Sequence, residues 1–241
     1  MLLLPFLLLP IFCCNLFGLS KTIIWCILLR DIYKIMRGVF IMKIVGLNGS
    51  PNSNGNTSVL INNILDCCKE LGAQTTMVNV GEIMQQQKSG YCTVCTNPCK
   101  GVCYKGTELE KVYELLRDCD GVVIGSPVYF GSVSAQLKAF FDKTRKVRAD
   151  KWLYNKVGIC ATVGAARFGG QETTIKAMHD MMLVDGMIII GDGFIEGDCG
   201  HHGVAAVRPA QEDENAKKRA RIAAKRLVEV CAATEGIRTN K

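Results

Sequence analysis

The chain has 241 residues, a length that suits one domain with an appendage and excludes two full domains. Its 49% hydrophobic and 21% charged residues supply a buried core and exclude intrinsic disorder. A formal charge of +7 invites nucleic acid, but the excess cations sit in a terminal helical stretch behind a run of acids, so a solvated helix is expected and no nucleic-acid partner. Thirteen cysteines, an odd number with no clear export signal, suit a reducing cytosol better than a disulfide scaffold.

Residues 1–19 carry no charged side chain, and a second apolar run follows at 22–29. Such a length fits a membrane anchor. Lys21, Arg30, Lys34 and Arg37 would then leave the remainder on the cytoplasmic face. A cleaved signal fits less well, because no positive segment precedes the apolar run. Met42, however, directly precedes the opening strand of a complete domain. The preferred reading is a working start at Met42, a dispensable extension over 1–41, and a cytoplasmic domain over 42–241.

From Met42 strands and helices alternate. Strands are expected over 43–47, 75–80, 121–125, 157–163 and 187–190, and helices over 57–71, 108–118, 133–147, 172–184 and 212–232. Thr107 and Glu110 have capping-box spacing at the start of the second helix. Asp213 and Lys217, and Glu214 and Lys218, fall one helical turn apart with the acid leading. Five short apolar strands separated by helices imply an α/β fold, a doubly wound parallel sheet covered on both faces. Ligands bind such sheets at the carboxyl ends of their strands. A Cys-rich irregular insert, 81–106, separates strand 2 from helix 2.

The loop from strand 1 to helix 1 has no charged residue but is crowded with glycines, amides and hydroxyls. Backbone amides at a helix start, with neutral bonds from Ser50, Asn56, Thr57 and Ser58, suit a phosphate. Neither Gly-Lys-Ser/Thr nor a Gly-rich dinucleotide fingerprint is present. After strand 3, Tyr129 and Phe130 can flank a flat ring while Gly131 permits close backbone approach. A third loop, 162–170, can close over the other side.

The insert carries Cys92, Cys95, Cys99 and Cys103 in a C-x2-C-x3-C-x3-C run. Soft thiolates suit zinc or an iron–sulfur cluster, and unligated or redox-active thiols are the third option. Pro98 and Gly101 allow the chain to fold back, and Lys100 and Lys105 are expected to offset thiolate charge. His179 reads as a packing or surface residue, and His201 with His202 as a mobile surface pair.

The segments Gly49-Ser50-Pro51, Asn54-Gly55-Asn56-Thr57-Ser58, the cysteine run and 125–131 together resemble the flavodoxin-like NAD(P)H-dependent FMN reductase family, near its iron–sulfur flavoprotein branch. Residues 134–142 and 169–173 add to the likeness, which spans nearly all of 42–233. The resemblance implies strand order 2-1-3-4-5 and an FMN phosphate in the loop holding Ser50, Ser53, Asn56, Thr57 and Ser58. It implies the isoalloxazine against Pro127, Val128, Tyr129, Phe130 and Gly131, and against Thr162 and Gly164. NAD(P)H is the implied co-substrate, a small molecule or protein the electron acceptor, and a homodimer or homotetramer the implied assembly. A [4Fe–4S] cluster on Cys92, Cys95, Cys99 and Cys103 is expected ahead of zinc, although the family's iron–sulfur members set the middle pair one residue closer. Other readings are an electron carrier without its own turnover and a zinc-stabilised binding module.

Overall fold

The computed structural model describes residues 41–238, so the expected extension, but for its last residue, lies outside them. Strands buried on both faces need apolar side chains at every position. β1 (Lys43–Asn48), β3 (Gly121–Pro127) and β4 (Val157–Gly164) meet that condition and are buried along almost their whole lengths. β2 (Gln74–Asn79), with its threonines and terminal amides, is the half-exposed edge. All pairings are parallel, and the order is β2-β1-β3-β4-β5, as expected.

The fifth lane differs from expectation. β5 (Ile188–Ile189) pairs with Val157 and Gly158 only. Residues 190–203 then loop out, and β6 (Val204–Val207) returns to pair with Ala161 to Gly164 of the same strand. A run of two valines and two alanines carries too little apolar contrast to announce a strand.

The pleat sends successive side chains to opposite faces. Ile44, Val123, Ile159 and Ala161 join the core under α1 (Asn56–Glu70) and the C-terminal helix Glu214–Ala233. Val45, Leu47, Val122 and Ile124 join a second core, under helices Glu108–Asp118, Ala135–Asp142 and Gln171–Val184. Each fully buried Ile or Leu contributes about 1.5–3 kcal/mol. Gly46 and Gly125 bring α1 onto the sheet, since a Cβ at either would strike Ile61. That close seat positions the start of α1 beside the ends of β1 and β3.

The insert after β2 begins with a helical turn, α2 (Val80–Gln85), unforeseen because six residues show little periodicity. Helix α3 (Glu108–Asp118) is capped by Thr107 as expected, but the reciprocal capping-box pair is shifted: Thr107 accepts from the Leu109 amide at 3.2 Å, and Glu110 accepts from Gly106, the residue before the cap, at 2.7 Å. The helix expected over 133–147 is broken. α4 (Ala135–Asp142) stops at Lys143, where the Thr144 hydroxyl donates to the Phe141 carbonyl at 2.7 Å, and α5 (Arg145–Ala149) starts afresh. α6 (Gln171–Val184) follows β4, and α7 (Glu214–Ala233) follows β6. Asp213 caps α7 by accepting from Ala216, so Lys217 pairs with Glu214 instead. Among the described residues no helix is long and apolar enough to cross a membrane.

Candidate functional site

The carboxyl ends of β1, β3 and β4 are tied into one platform. Asn48, fully buried, accepts from the Ser50 amide at 3.1 Å and donates to Asn79 at 3.2 Å, joining the ends of β1 and β2. The Gly49 amide donates to Gly125 at 2.8 Å, and the Ser134 hydroxyl donates to the Gly49 carbonyl while capping α4. These contacts set the shape of the first loop. Asn48 and Ser134 escaped the sequence reading; only their positions, at a strand end and a helix start, signal them.

Helix α1 starts on Gly55 with no side-chain cap, so its first-turn amides face outward without a protein acceptor. Of the residues assigned to a phosphate, Thr57 is the best placed. It is buried, and no hydrogen bond to the described residues engages its hydroxyl. The others have structural duties. Ser50 accepts from the Asn52 amide at 3.1 Å, and Ser58 donates to the Gly55 carbonyl at 2.8 Å. The Ser53 hydroxyl is committed to Glu82. Asn56 accepts from the Ala210 amide at 2.8 Å, fastening the loop before α7 to the start of α1, and its amide group remains a donor. A cradle of open amides with an unengaged hydroxyl on a buried threonine fits a phosphate.

The second loop is a tight turn. Tyr129 and Ser132 exchange backbone bonds of 2.9 and 3.0 Å, with Phe130 and Gly131 left-handed at φ 50° and 73°. Holding a phenylalanine in that conformation is uncommon and costs strain. The turn is pinned by Thr173, which donates to the Gly131 carbonyl at 2.6 Å. Phe130 is wholly exposed and Tyr129 about half so, leaving apolar ring surface at the sheet's carboxyl end. Pro127 ends β3, and the Val128 amide donates to Val163 at 3.0 Å, which sets the turn against β4.

In the third loop the Thr162 side chain is buried and donates to the Ser126 carbonyl at 2.8 Å, so it braces β3 against β4. Gly164 leaves space for Gln171, a residue the sequence reading missed, whose amide group donates to Ala166 at 2.7 Å and whose oxygen accepts from Gly169 at 2.8 Å. Beyond this loop lies a cleft of about 1160 Å³, lined among others by Arg167, Phe168, Arg208 and Glu212. Arg167 and Arg208 are exposed, and neither guanidinium pairs with a described residue.

The histidine pair is better fixed than expected. His202 pairs with Glu172 at 2.9 Å, His179 contacts the His202 carbonyl at 2.9 Å, and the His201 amide donates to Asp192 at 2.6 Å. Burial holds the His179 imidazole below its ordinary range.

The cysteine loop lies on the other face. Its ends are anchored by Gln87, which donates to Thr107 at 3.3 Å, and by buried Tyr104, whose ring meets Tyr113 edge-on at 4.9 Å. Gly101 sits at φ 69°, and a Cβ there would strike the Tyr104 ring, so only glycine fits. Between the anchors Cys95 is exposed, and Cys92, Cys99 and Cys103 are half-buried free thiols. Burial pushes the Cys103 thiol up; Lys143 opposes the shift, and Cys95 and Cys99 add to it. Among the described residues no three His, Cys, Asp or Glu side chains are gathered to hold a metal ion. The donor set fits a thiolate-ligated metal in chemistry, as four soft donors on one anchored loop, although the thiols are not gathered into a ligand shell here. A cleft of about 610 Å³, lined by Cys92, Val94, Phe141, Thr144 and Asp185, runs along the loop, and a second, lined by Tyr129, Phe130 and Met181, shares Lys138 and Asp180 with it.

The sequence profile of the NADPH-dependent FMN reductase family matches residues 42–201. The chain belongs to that family. Membership makes it a flavin-dependent oxidoreductase. An iron–sulfur flavoprotein of Methanocaldococcus jannaschii is 37% identical over 192 residues, covering 78% of this chain and 97% of the relative. An iron–sulfur flavoprotein of Methanosarcina thermophila is 35% identical over 192 residues, covering 78% and 95%. In fold the chain is similar to a flavodoxin, WrbA-like protein of Agrobacterium tumefaciens, with TM-score 0.56, 16% identity, and 80% and 98% of the two chains covered.

Proposed function

We propose that this protein passes electrons from NAD(P)H or a reduced carrier, through FMN and a [4Fe–4S] cluster, to an acceptor outside the chain. The observation that carries the reading is the pairing of an uncapped, uncharged helix-start loop with a four-cysteine loop on one domain. It is supported by the printed names of relatives matched over nearly their whole length. FMN, when bound, supplies the exchange between two-electron and one-electron chemistry.

The chain's own residues then bind and orient. The first-turn amides of α1 and the Thr57 hydroxyl hold the phosphate. The Tyr129–Ser132 turn and the 162–170 loop border the ring and limit access of water. The neutral loop adds no carboxylate of its own to compete with the phosphate. The cleft with Arg167, Phe168 and Arg208 gives a dinucleotide room, with an exposed ring for its base and two cations for its phosphates beside the carboxylates of Glu172, Glu212, Asp213 and Glu214. Cys92, Cys95, Cys99 and Cys103 would hold the cluster.

The test is FMN and iron content, with a visible spectrum before and after dithionite, on protein purified without oxygen. Flavin bands over a broad, bleachable absorbance, with about four irons per FMN, are the expected result. Flavin without iron would remove the cluster from the reading, and absence of flavin after FMN addition would overturn it.

A further inference from the structure

Six of the thirteen large, exposed apolar side chains among the described residues crowd one end of the sheet: Ile41, Leu71, Tyr154, Leu183, Val184 and Ile237. The parallel register puts them at its amino end. Lys43 stands beside Gln74, and Ile44, Gly121, Val157 and Ile188 form one row across the strands. Contacts knit this surface together. The Arg148 guanidinium donates to the Val184 carbonyl at 2.8 Å, and the Asn155 side chain donates to the Ile237 carbonyl at 2.8 Å. The Tyr154 ring packs on Gly186, and Arg117 covers the Trp152 ring at 5.0 Å. Cations stand among the apolar groups: Lys43, Arg117, Arg145, Lys146, Arg148 and Lys151. The carboxylates at this end are Glu70, Asp118, Asp150 and Glu235. Asp118 pairs with Arg117 at 3.3 Å, Asp150 with Lys146 at 2.5 Å, and Glu70 reaches Arg221 at 3.8 Å. Lys43 and Arg145 pair with no carboxylate of the described residues.

We propose that this end of the domain is a membrane-docking face that seats on anionic phospholipid headgroups. Aromatic and aliphatic side chains mixed with lysine and arginine match the boundary between headgroups and acyl chains, where each can keep an apolar and a polar end. The lipid phosphates supply the anions that Lys43 and Arg145 lack. These groups spread across the sheet from Leu71 before β2 to Val184 before β5, four strand spacings or about 19 Å. That breadth suits a flat, fluid surface better than a protein recess. The chain also enters β1 at this end, from a segment whose residues 1–19 carry no charged side chain and which continues through Lys21, Arg30, Lys34 and Arg37. Such an uncharged length fits the acyl layer. An apolar anchor with a basic face is the double signal that stable attachment needs. Docked this way, the loops at the carboxyl ends lie about 26 Å further from the bilayer, along the eight residues of β4, and stay open to soluble partners.

The test uses the full-length chain with Trp25→Phe, which leaves Trp152 as its one tryptophan, reconstituted with vesicles whose acyl chains are brominated. Phosphatidylcholine with about one third phosphatidylglycerol should quench Trp152, and phosphatidylcholine alone should quench it far less. Adding Arg145→Gln with Lys151→Gln should lower the ratio of quenched to unquenched Trp152 about tenfold at saturating anionic lipid. Adding Leu183→Gln with Val184→Gln instead should lower it by a similar factor. FMN titration of every variant should match that of the parent, because none of these residues borders the open start of α1. Protein that sediments with anionic vesicles while Trp152 stays unquenched would overturn the proposal, since the segment before Ile41 would then hold it alone. Equal quenching in all the variants, or no association with vesicles, would overturn it too. Trp152 emission that shifts with protein concentration in the absence of lipid would assign the face to a second copy of the chain and likewise sink the membrane reading.

Discussion

Thr57 and Asp185 illustrate how single side chains divide between binding and stability. Thr57 is buried at the open end of α1, with its hydroxyl unengaged by the described residues, while its methyl packs near Gly125. Thr57→Ala should weaken FMN binding about tenfold in a fluorescence titration, and Thr57→Ser should not. Equal affinity in all three proteins would move the phosphate elsewhere. Asp185 is held up to about 6, chiefly by burial, against the opposing effects of Thr144 and Arg148. The Thr144 hydroxyl lies 2.7 Å from the Phe141 carbonyl and 3.3 Å from Asp185, so its one proton is divided between the two acceptors and offsets only part of the burial effect. The folded state keeps the Asp185 proton where the unfolded chain has lost it, so stability falls as pH rises from about 4 to 6. Asp185→Asn should therefore be more stable than wild type at pH 7, on the order of 1–3 kcal/mol, with the gap closing towards pH 4. Thermal melts across that range measure it.

At the scale of elements, the excursion that splits the fifth lane is tied to α7 by Arg219, with Arg226 adding a bond to the Gly193 carbonyl. Arg219 on α7 pairs with buried Asp192 and, at 3.1 Å, with Asp198, and donates to the Asp192 carbonyl at 3.0 Å. Arg219→Ala strands the buried carboxylate and should cost about 3–5 kcal/mol in denaturant melts. Pairing it with Asp192→Asn should recover much of that loss, because the second change removes the stranded charge. None of this was legible beforehand. The buried strands were, since their apolar runs are local, as were the α3 cap and the loops at the carboxyl ends. The bonds that shape the site join residues far apart in sequence, such as Asn56 to Ala210 and Ser134 to Gly49. No periodicity encodes such pairs. The break between α4 and α5 was hidden for a related reason: it depends on Thr144 turning back onto Phe141, in a stretch whose apolar spacing continues unbroken.

Across the whole molecule the two ends of the sheet have separate tasks. The carboxyl end carries the loops proposed to bind FMN, and the amino end carries a buried ionic clamp. There Asp120 accepts from the Lys43 amide at 2.8 Å and pairs with Arg238 at 3.2 Å, with Lys156 buried nearby. Asp120→Ala should lower global stability by about 3–5 kcal/mol yet leave FMN affinity of the folded protein unchanged, read by melts and flavin titration on the same samples. The split lane has a further consequence. A sheet border is a template on which a foreign chain can add itself, rung by rung. Here the β4 side ends in a two-residue strand, a detour, and a four-residue strand. The detour interrupts the row of free rungs before a newcomer can gain a foothold. The excursion pinned by Arg219 thus also guards the protein against joining its neighbours into fibrils, so loosening it should show first as turbidity in concentrated solution.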